Sequence, residues 1–257
     1  MPPIANVDEG FKRTMDALRL MLGLSQEPDA GFMMNYCSLG FHGYSINVFQ
    51  SHIDYLNAIN SVIRPDLPVF DLDTIERWKI INELLLASLI NPDLPGTNSH
   101  NRHFPSLAAL VAFPTLEEIA RLISKRWSED GKLFADAPLS DRIGTWHPDG
   151  SVKLRAYHKG EQIVDLSHKL QLMHLSLDPK LQITFSDIDA ELRRPMADGM
   201  TQPMSPLYAR LKFFRDRWVH GRRYEGWEAL LISLLLALVY FDSLRLRERA
   251  ETKPSVV

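Results

Sequence analysis

The sequence predicts an all-α fold, and three observations carry that expectation. Apolar residues recur at three- and four-residue intervals through most of the chain. Cap-forming Asp and Thr residues stand before several of these runs, and Gly or Pro stands after them. Strand-like alternation is confined to one short stretch, "RIGTWHPDGSVKLRAYHKGE". The chain has 257 residues, 45% hydrophobic and 24% charged, which suffices for one large or two small globular domains.

The elements follow in order. "VDEGFKRTMDALRLMLGL" places Phe11, Met15, Leu18 and Leu22 on one helical face, with Asp8 as the expected cap and Gly23 as the stop. "GYSINVFQSHIDYLNAINSVI" gives a second helix through Ile46, Phe49, Ile53, Leu56, Ile59 and Ile63, closed by Pro65 and Pro68. "LDTIERWKIINELLLASLI" gives a third, with Asp73 and Thr74 as its cap signal. "NPDLPGTNSHNRHFPS" is rich in Pro, Gly, Asn and Ser and reads as a loop and domain boundary.

Beyond it, "SLAALVAFPTLEEIARLISKRW" puts Leu107, Leu110, Val111, Leu116, Ile119, Ala120 and Ile123 on one side. Pro114 is expected to kink or restart this helix, with Thr115 as a start residue ahead of Glu117 and Glu118. Pro148-Asp149-Gly150, between alternating segments, predicts a small β-hairpin. "EQIVDLSHKLQLMHLSL" resumes helical spacing through Ile163, Leu166, Leu170, Met173 and Leu177. "RRPMADGMTQPMSP" is a second loop. A helix with Leu207, Leu211, Phe214 and Trp218 on one stripe then ends at Gly221, and a last helix runs from about Tyr224. The expected division is a helical subdomain over residues 1–100, a helical bundle over 101–249 and a frayed tail over 250–257.

Several function classes lose ground on composition. A formal net charge of −3 gives no global attraction to nucleic acid or anionic membrane, so any such affinity must be local. The single cysteine, Cys37, excludes an internal disulfide and a Cys-based metal cluster, and fits a reducing cytoplasm. "MPPIANVDEGFKRTMD" lacks a secretory pattern. The apolar run Ala229–Phe241 is shorter than the ~20 residues a bilayer span needs and reads as a buried core helix, so no membrane partner is expected.

Three places could carry chemistry. His100 and His103 share a loop, and His168 and His174 lie six apart on one helix; helical metal ligands want three or four, so no metal and no cofactor is expected. Glu117 and Glu118 are adjacent, so they diverge by roughly 100° and do not pair as acid and base, although one could reach an arginine of another helix. The third place is "LKFFRDRWVHGRRYEGWEALLISLLLALVYF". It sets Arg215, Asp216, Arg217, His220, Arg222 and Arg223 around a helix stop, immediately before the most apolar run. Arg215 is a permanent cation suited to phosphate, and His220 titrates near neutrality. Asp216 can orient either, and Arg217, Arg222 and Arg223 extend the positive surface along a polyanion path. The plainer reading is a cationic helix C-terminus favoured by the helix dipole, with Arg215 paired to a carboxylate such as Glu118.

The motif "RDRWVHG", preceded by "PLYARLKFF" and followed by a long apolar final helix, resembles the HEPN domain superfamily. "FPTLEEIARLISKRW" is similar to that bundle's opening helix, so the resemblance spans Pro105 to Arg249. It implies an all-α, HEPN-like bundle and metal-independent endoribonuclease activity, with Arg215, His220 and Asp216 as catalytic residues and Arg217, Arg222 and Arg223 as RNA-binding ones. It further implies a homodimer with a composite site, a toxin–antitoxin or antiviral setting, and an antitoxin or regulatory protein as partner. Other members of the superfamily are non-catalytic RNA- or protein-binding modules, which is the alternative. The hairpin stretch and the first three helices lie outside a minimal bundle of this kind.

Overall fold

The computed structural model describes residues 3–21, 46–90, 103–140, 154–192, 207–219 and 227–252. Helix dominates them: α1 (Val7–Met21), α2 (Ile46–Val62), α3 (Leu72–Ile90), α4 (Phe104–Ile123), α5 (Leu166–Ser176), α6 (Pro179–Leu192), α7 (Leu207–Val219) and α8 (Trp227–Thr252). Two short antiparallel pairs interrupt them, β1 (Ser128–Glu129) with β2 (Lys132–Leu133), and β3 (Ala137–Ser140) with β4 (Leu154–Tyr157). The chain divides into two compact units, the first Met1–Thr115 with Tyr224–Val257, the second Leu116–Arg223.

This division departs from the expected boundaries at residues 100 and 249. The last helix belongs with the first ones, because α8 packs on α1 and α3. Its residues from Glu228 to Asp242 are buried on every side, as an all-round apolar helix must be. Gly10 of α1 lets the helices close up: a Cβ there would stand 2.3 Å from the Phe241 ring. Trp78 of α3, fully buried, donates through Nε1 to Ser233 Oγ at 2.9 Å. Ser233 donates on to Asn82 at 2.5 Å, and Asn82 to Asn60 at 2.7 Å. The Tyr240 ring meets Phe70 and Trp78 edge-on at 5.2 and 5.7 Å, and its hydroxyl accepts from the Arg64 amide at 2.9 Å. The apolar run is thus accounted for by the core of the first unit.

Helix α8 has 26 residues, longer than its apolar run, and by length and composition it could cross a membrane. Most of its apolar window, 78%, is buried inside the protein, and its final turns are charged. Helix α8 is therefore not too short to span a bilayer, and its burial is that of a core helix.

Local details also shift. The cap of α1 is Asn6, whose Oδ1 accepts the Glu9 amide at 2.9 Å while Glu9 accepts the Ala5 amide at 2.8 Å. Asp8 lies inside the first turn. Likewise Asp71, accepting the Thr74 amide at 2.9 Å, caps α3 in place of Asp73 or Thr74. Helix α4 runs unbroken through Pro114, and the Thr115 hydroxyl bonds back to Val111 O at 2.7 Å instead of starting a helix. Its buried side is Ala108, Ala109, Ala112, Phe113, Leu116 and Ile119, whereas Leu107 and Leu110 are exposed.

In the second unit β3 pairs with β4; β4 falls within the stretch expected to form a hairpin, β3 lies ahead of it, and the Pro148-Asp149-Gly150 turn lies outside the described residues. Two elements have no counterpart in the sequence reading. The pair β1–β2 turns on Asp130 and Gly131, both at positive φ (48° and 81°), as a two-residue Asp-Gly turn requires. Helix α6 starts at Pro179, with Asp178 Oδ1 accepting the Lys180 amide at 3.0 Å. Helix α5 packs on α7 and on β3, and α6 on α7. A small apolar cluster of Leu133, Ala137, Leu139, Tyr157, Ile163 and Leu172 seats the strands under α5.

Candidate functional site

The sequence motif puts Arg215 and Asp216 on α7, and both are described. Arg217 lies on the same helix. His220, Arg222 and Arg223 lie outside the described residues. The other members of the site come from elsewhere in the second unit.

Three segments converge there. The C-terminal half of α4 supplies Glu117, the start of α5 supplies Asp165 and Lys169, and α7 supplies Lys212, Arg215 and Asp216. Asp165 is at the α5 N-cap, accepting the Ser167 amide at 2.9 Å. Tyr208, Lys212 and Arg215 stand at i, i+4 and i+7 and share one stripe of α7. Early α5 meets later α7 (Asp165 with Lys212), and late α5 meets the start of α7 (His174 with Tyr208), so the two helices run antiparallel.

The ion pairs are unequal. Lys169 bonds Glu117 closely, and Lys212 bonds Asp216 closely while reaching Asp165 at 3.5 Å. Arg215 is left with the long contacts: Glu117 Oε2 at 3.8 Å, beyond hydrogen-bond range, and Asp216 Oδ1 at 3.3–3.4 Å. Its side chain is 25% exposed. Glu118, the partner expected for Arg215, instead holds Arg121 of its own helix at 2.6 Å, and Glu117 faces α7. Three cations (Lys169, Lys212, Arg215) thus meet three carboxylates (Glu117, Asp165, Asp216), and the described face is charge-balanced.

Burial works against the Asp165 carboxylate, but the Ser167 bonds, with Lys212 and His168 nearby, outweigh it and hold its pKa below the ordinary range. Burial likewise opposes the Lys212 ammonium, and Asp216 and Asp165 more than compensate, raising its pKa. Both ions therefore stay charged through neutral pH.

The histidines go to separate places. His168 Nε2 contacts the Tyr157 hydroxyl at 3.3 Å with the rings 4.9 Å apart, and His174 Nδ1 contacts the Tyr208 hydroxyl at 2.9 Å. His103 is exposed, and His100 lies outside the described residues. Among the described residues no group of three His, Cys, Asp or Glu side chains is arranged to hold a metal ion.

Lys169, Lys212 and Asp165 had no place in the sequence-based site. Lys212 sits in the quoted stretch one turn before Asp216, and that spacing was its available signal. Lys169 and Asp165 had none, since only the packing of α5 on α7 brings them in.

No protein-family model matches this chain, and no curated protein or solved structure matches it either.

Proposed function

We propose that this chain is a metal-independent endoribonuclease of the HEPN type, acting in the cytoplasm as a homodimer in a defence or toxin–antitoxin setting. The observation that carries the reading is the state of Arg215. Of the three cations on the face it is the least tightly engaged, and it is partly open to solvent. A phosphate offers short charge-assisted bonds where Glu117 and Asp216 offer long contacts. Arginine's planar fork suits that exchange.

The reaction is internal transesterification. The 2′-hydroxyl loses its proton and attacks the adjacent phosphorus, and the 5′-oxygen leaves with a proton. The products are a 2′,3′-cyclic phosphate and a 5′-hydroxyl. Arg215 clamps the charge that builds on the phosphoryl oxygens. His220 moves the proton; its part rests on the motif alone. Asp216 sits beside the guanidinium and fixes its direction. Arg217, Arg222 and Arg223 hold the flanking backbone.

The charge balance of the face favours a second reading, a non-catalytic HEPN-like module that binds RNA or a protein partner. One experiment separates the two. Purified protein is incubated with total RNA in EDTA, wild type beside His220→Ala and Arg215→Ala, and product ends are analysed. The nuclease reading expects cyclic-phosphate ends and a loss of roughly 10²–10⁴-fold in each variant. RNA retention without cleavage by the wild type supports the module. Full cleavage by both variants overturns the nuclease reading, and an active species that is monomeric by light scattering overturns the shared site.

A further inference from the structure

We infer that Lys169 is a positioning residue for Arg215: by holding the Glu117 carboxylate, it keeps that carboxylate from closing on the guanidinium and leaves Arg215 open to a phosphate. The phosphate end of this inference rests on the reading of Arg215 given above. The ionic end stands without it.

The charges of the face form one line of alternating sign. It runs Lys169, Glu117, Arg215, Asp216, Lys212, Asp165. Its two ends are tied to one turn of α5, where the Lys169 amide donates to Asp165 O at 3.1 Å. Arg215, on α7, lies inside the line, between two carboxylates. Each inner member is shared by two opposite charges, so what it gives to one neighbour it withholds from the other.

Glu117 shows the division. Its Oε1 takes a close bond from the Lys169 ammonium, and its Oε2 stays 3.8 Å from Arg215 Nη1. A charge-assisted bond runs to about 2.7–2.9 Å, so a shift of about 1 Å separates the observed contact from a full ion pair. The Lys169 ammonium prevents that shift, and its charge is engaged in doing so. With that charge removed, Arg215 is the cation nearest to the Glu117 carboxylate across the helices, and its planar fork accepts a carboxylate in two parallel bonds. Asp216 already contacts the guanidinium at 3.3–3.4 Å. A phosphate would then have to displace carboxylates from two directions.

The test is a mutant cycle on the full chain, read in two ways. The first needs no RNA and follows solvent exchange of the Arg215 Nε–H by NMR. Lys169→Gln is expected to slow it about two- to fivefold as Glu117 closes. Lys169→Arg keeps the charge and is expected to behave as the wild type. Adding Glu117→Gln to Lys169→Gln is expected to abolish the slowing. The second readout is affinity at low salt for a single-stranded 2′-O-methyl RNA, which lacks the attacking hydroxyl. Lys169→Gln is expected to weaken binding about fivefold in the wild-type chain and less than about twofold in the Glu117→Gln chain. Equal weakening in both chains makes Lys169 a direct phosphate contact and overturns the inference. So does unchanged Arg215 exchange in Lys169→Gln. Slowed exchange without any change in RNA affinity, or in a chain that binds no RNA, upholds Lys169 as the positioning residue and overturns the RNA role of Arg215 instead.

Discussion

Helices α7 and α8 follow one another in the sequence and are built on opposite principles. From Glu228 to Asp242, α8 is buried throughout, and its Ser233 and Tyr240 hydroxyls make short bonds inside the first unit, such as Trp78 to Ser233. Along α7 Lys212, Arg215 and Asp216 are half-buried and share partners, so Lys212 serves two carboxylates while Glu117 serves Lys169 and Arg215. The first arrangement has one good geometry and is costly to disturb. The second has several near-equal ones, and an incoming phosphate can rearrange it. On the proposed nuclease reading the chemistry belongs to α7, and the greasy run beside the motif in sequence is explained by a different unit.

The largest effect that would test this contrast lies in the first unit. Trp78→Ala removes a fully buried indole from between Phe70 and Tyr240 and should cost about 3–5 kcal/mol, read as a lowered guanidinium midpoint. Ser233→Ala is the finer probe. It deletes the acceptor for Trp78 Nε1 and the donor to Asn82 together, and should cost about 1–3 kcal/mol. A loss of a few tenths in either variant would mean the core of the first unit adapts as freely as the ionic face.

Much of the fold was legible because helix period is a local property. Leu18, Leu56, Ile59, Leu170 and Leu211 are buried where the spacing put them. Caps were misplaced by two residues at α1 and α3, where Asp8 and Asp73 compete with Asn6 and Asp71 and only the bonds decide. Helix α6 was missed although its start was marked in the sequence by Asp178-Pro179. Leu107 and Leu110 fit the helical period and yet face outward, since the small residues Ala108, Ala109 and Ala112 allow closer packing on the other side. At the site, Arg215 and Asp216 were visible as a motif. Glu117 was visible only as one of two carboxylates, and which one turns to α7 is set by helix rotation, a property of the packed unit.

A smaller effect is expected from pH. The folded-state pKa of Asp165 is depressed, so its contribution to stability is complete above the ordinary aspartate range, ~3.9, and is lost as pH falls through the folded value. Asp165→Asn should flatten the acid limb of the stability curve and leave the neutral plateau within about 1 kcal/mol. An acid limb identical to the wild type would show that the Ser167 bonds and the Lys212 contact do not hold the Asp165 pKa down in solution.

The smallest effect is the most informative about function. Glu117→Gln keeps the shape of the side chain and removes the charge shared by Lys169 and Arg215. With Glu117 about one-third exposed, stability should move by less than about 1 kcal/mol. Among the described residues, which set three cations against three carboxylates, the face then gains one net positive charge. Affinity for RNA should rise roughly threefold at low salt, with a steeper loss on adding salt, because one more cation is released to a phosphate. On the nuclease reading Arg215 is the residue released, so Arg215→Ala in the Glu117→Gln background should cancel the gain. If the gain persists, Lys169 took the phosphate and Arg215 is held by Asp216 as a structural ion. If affinity does not change, the ionic face of α7 is not where RNA binds.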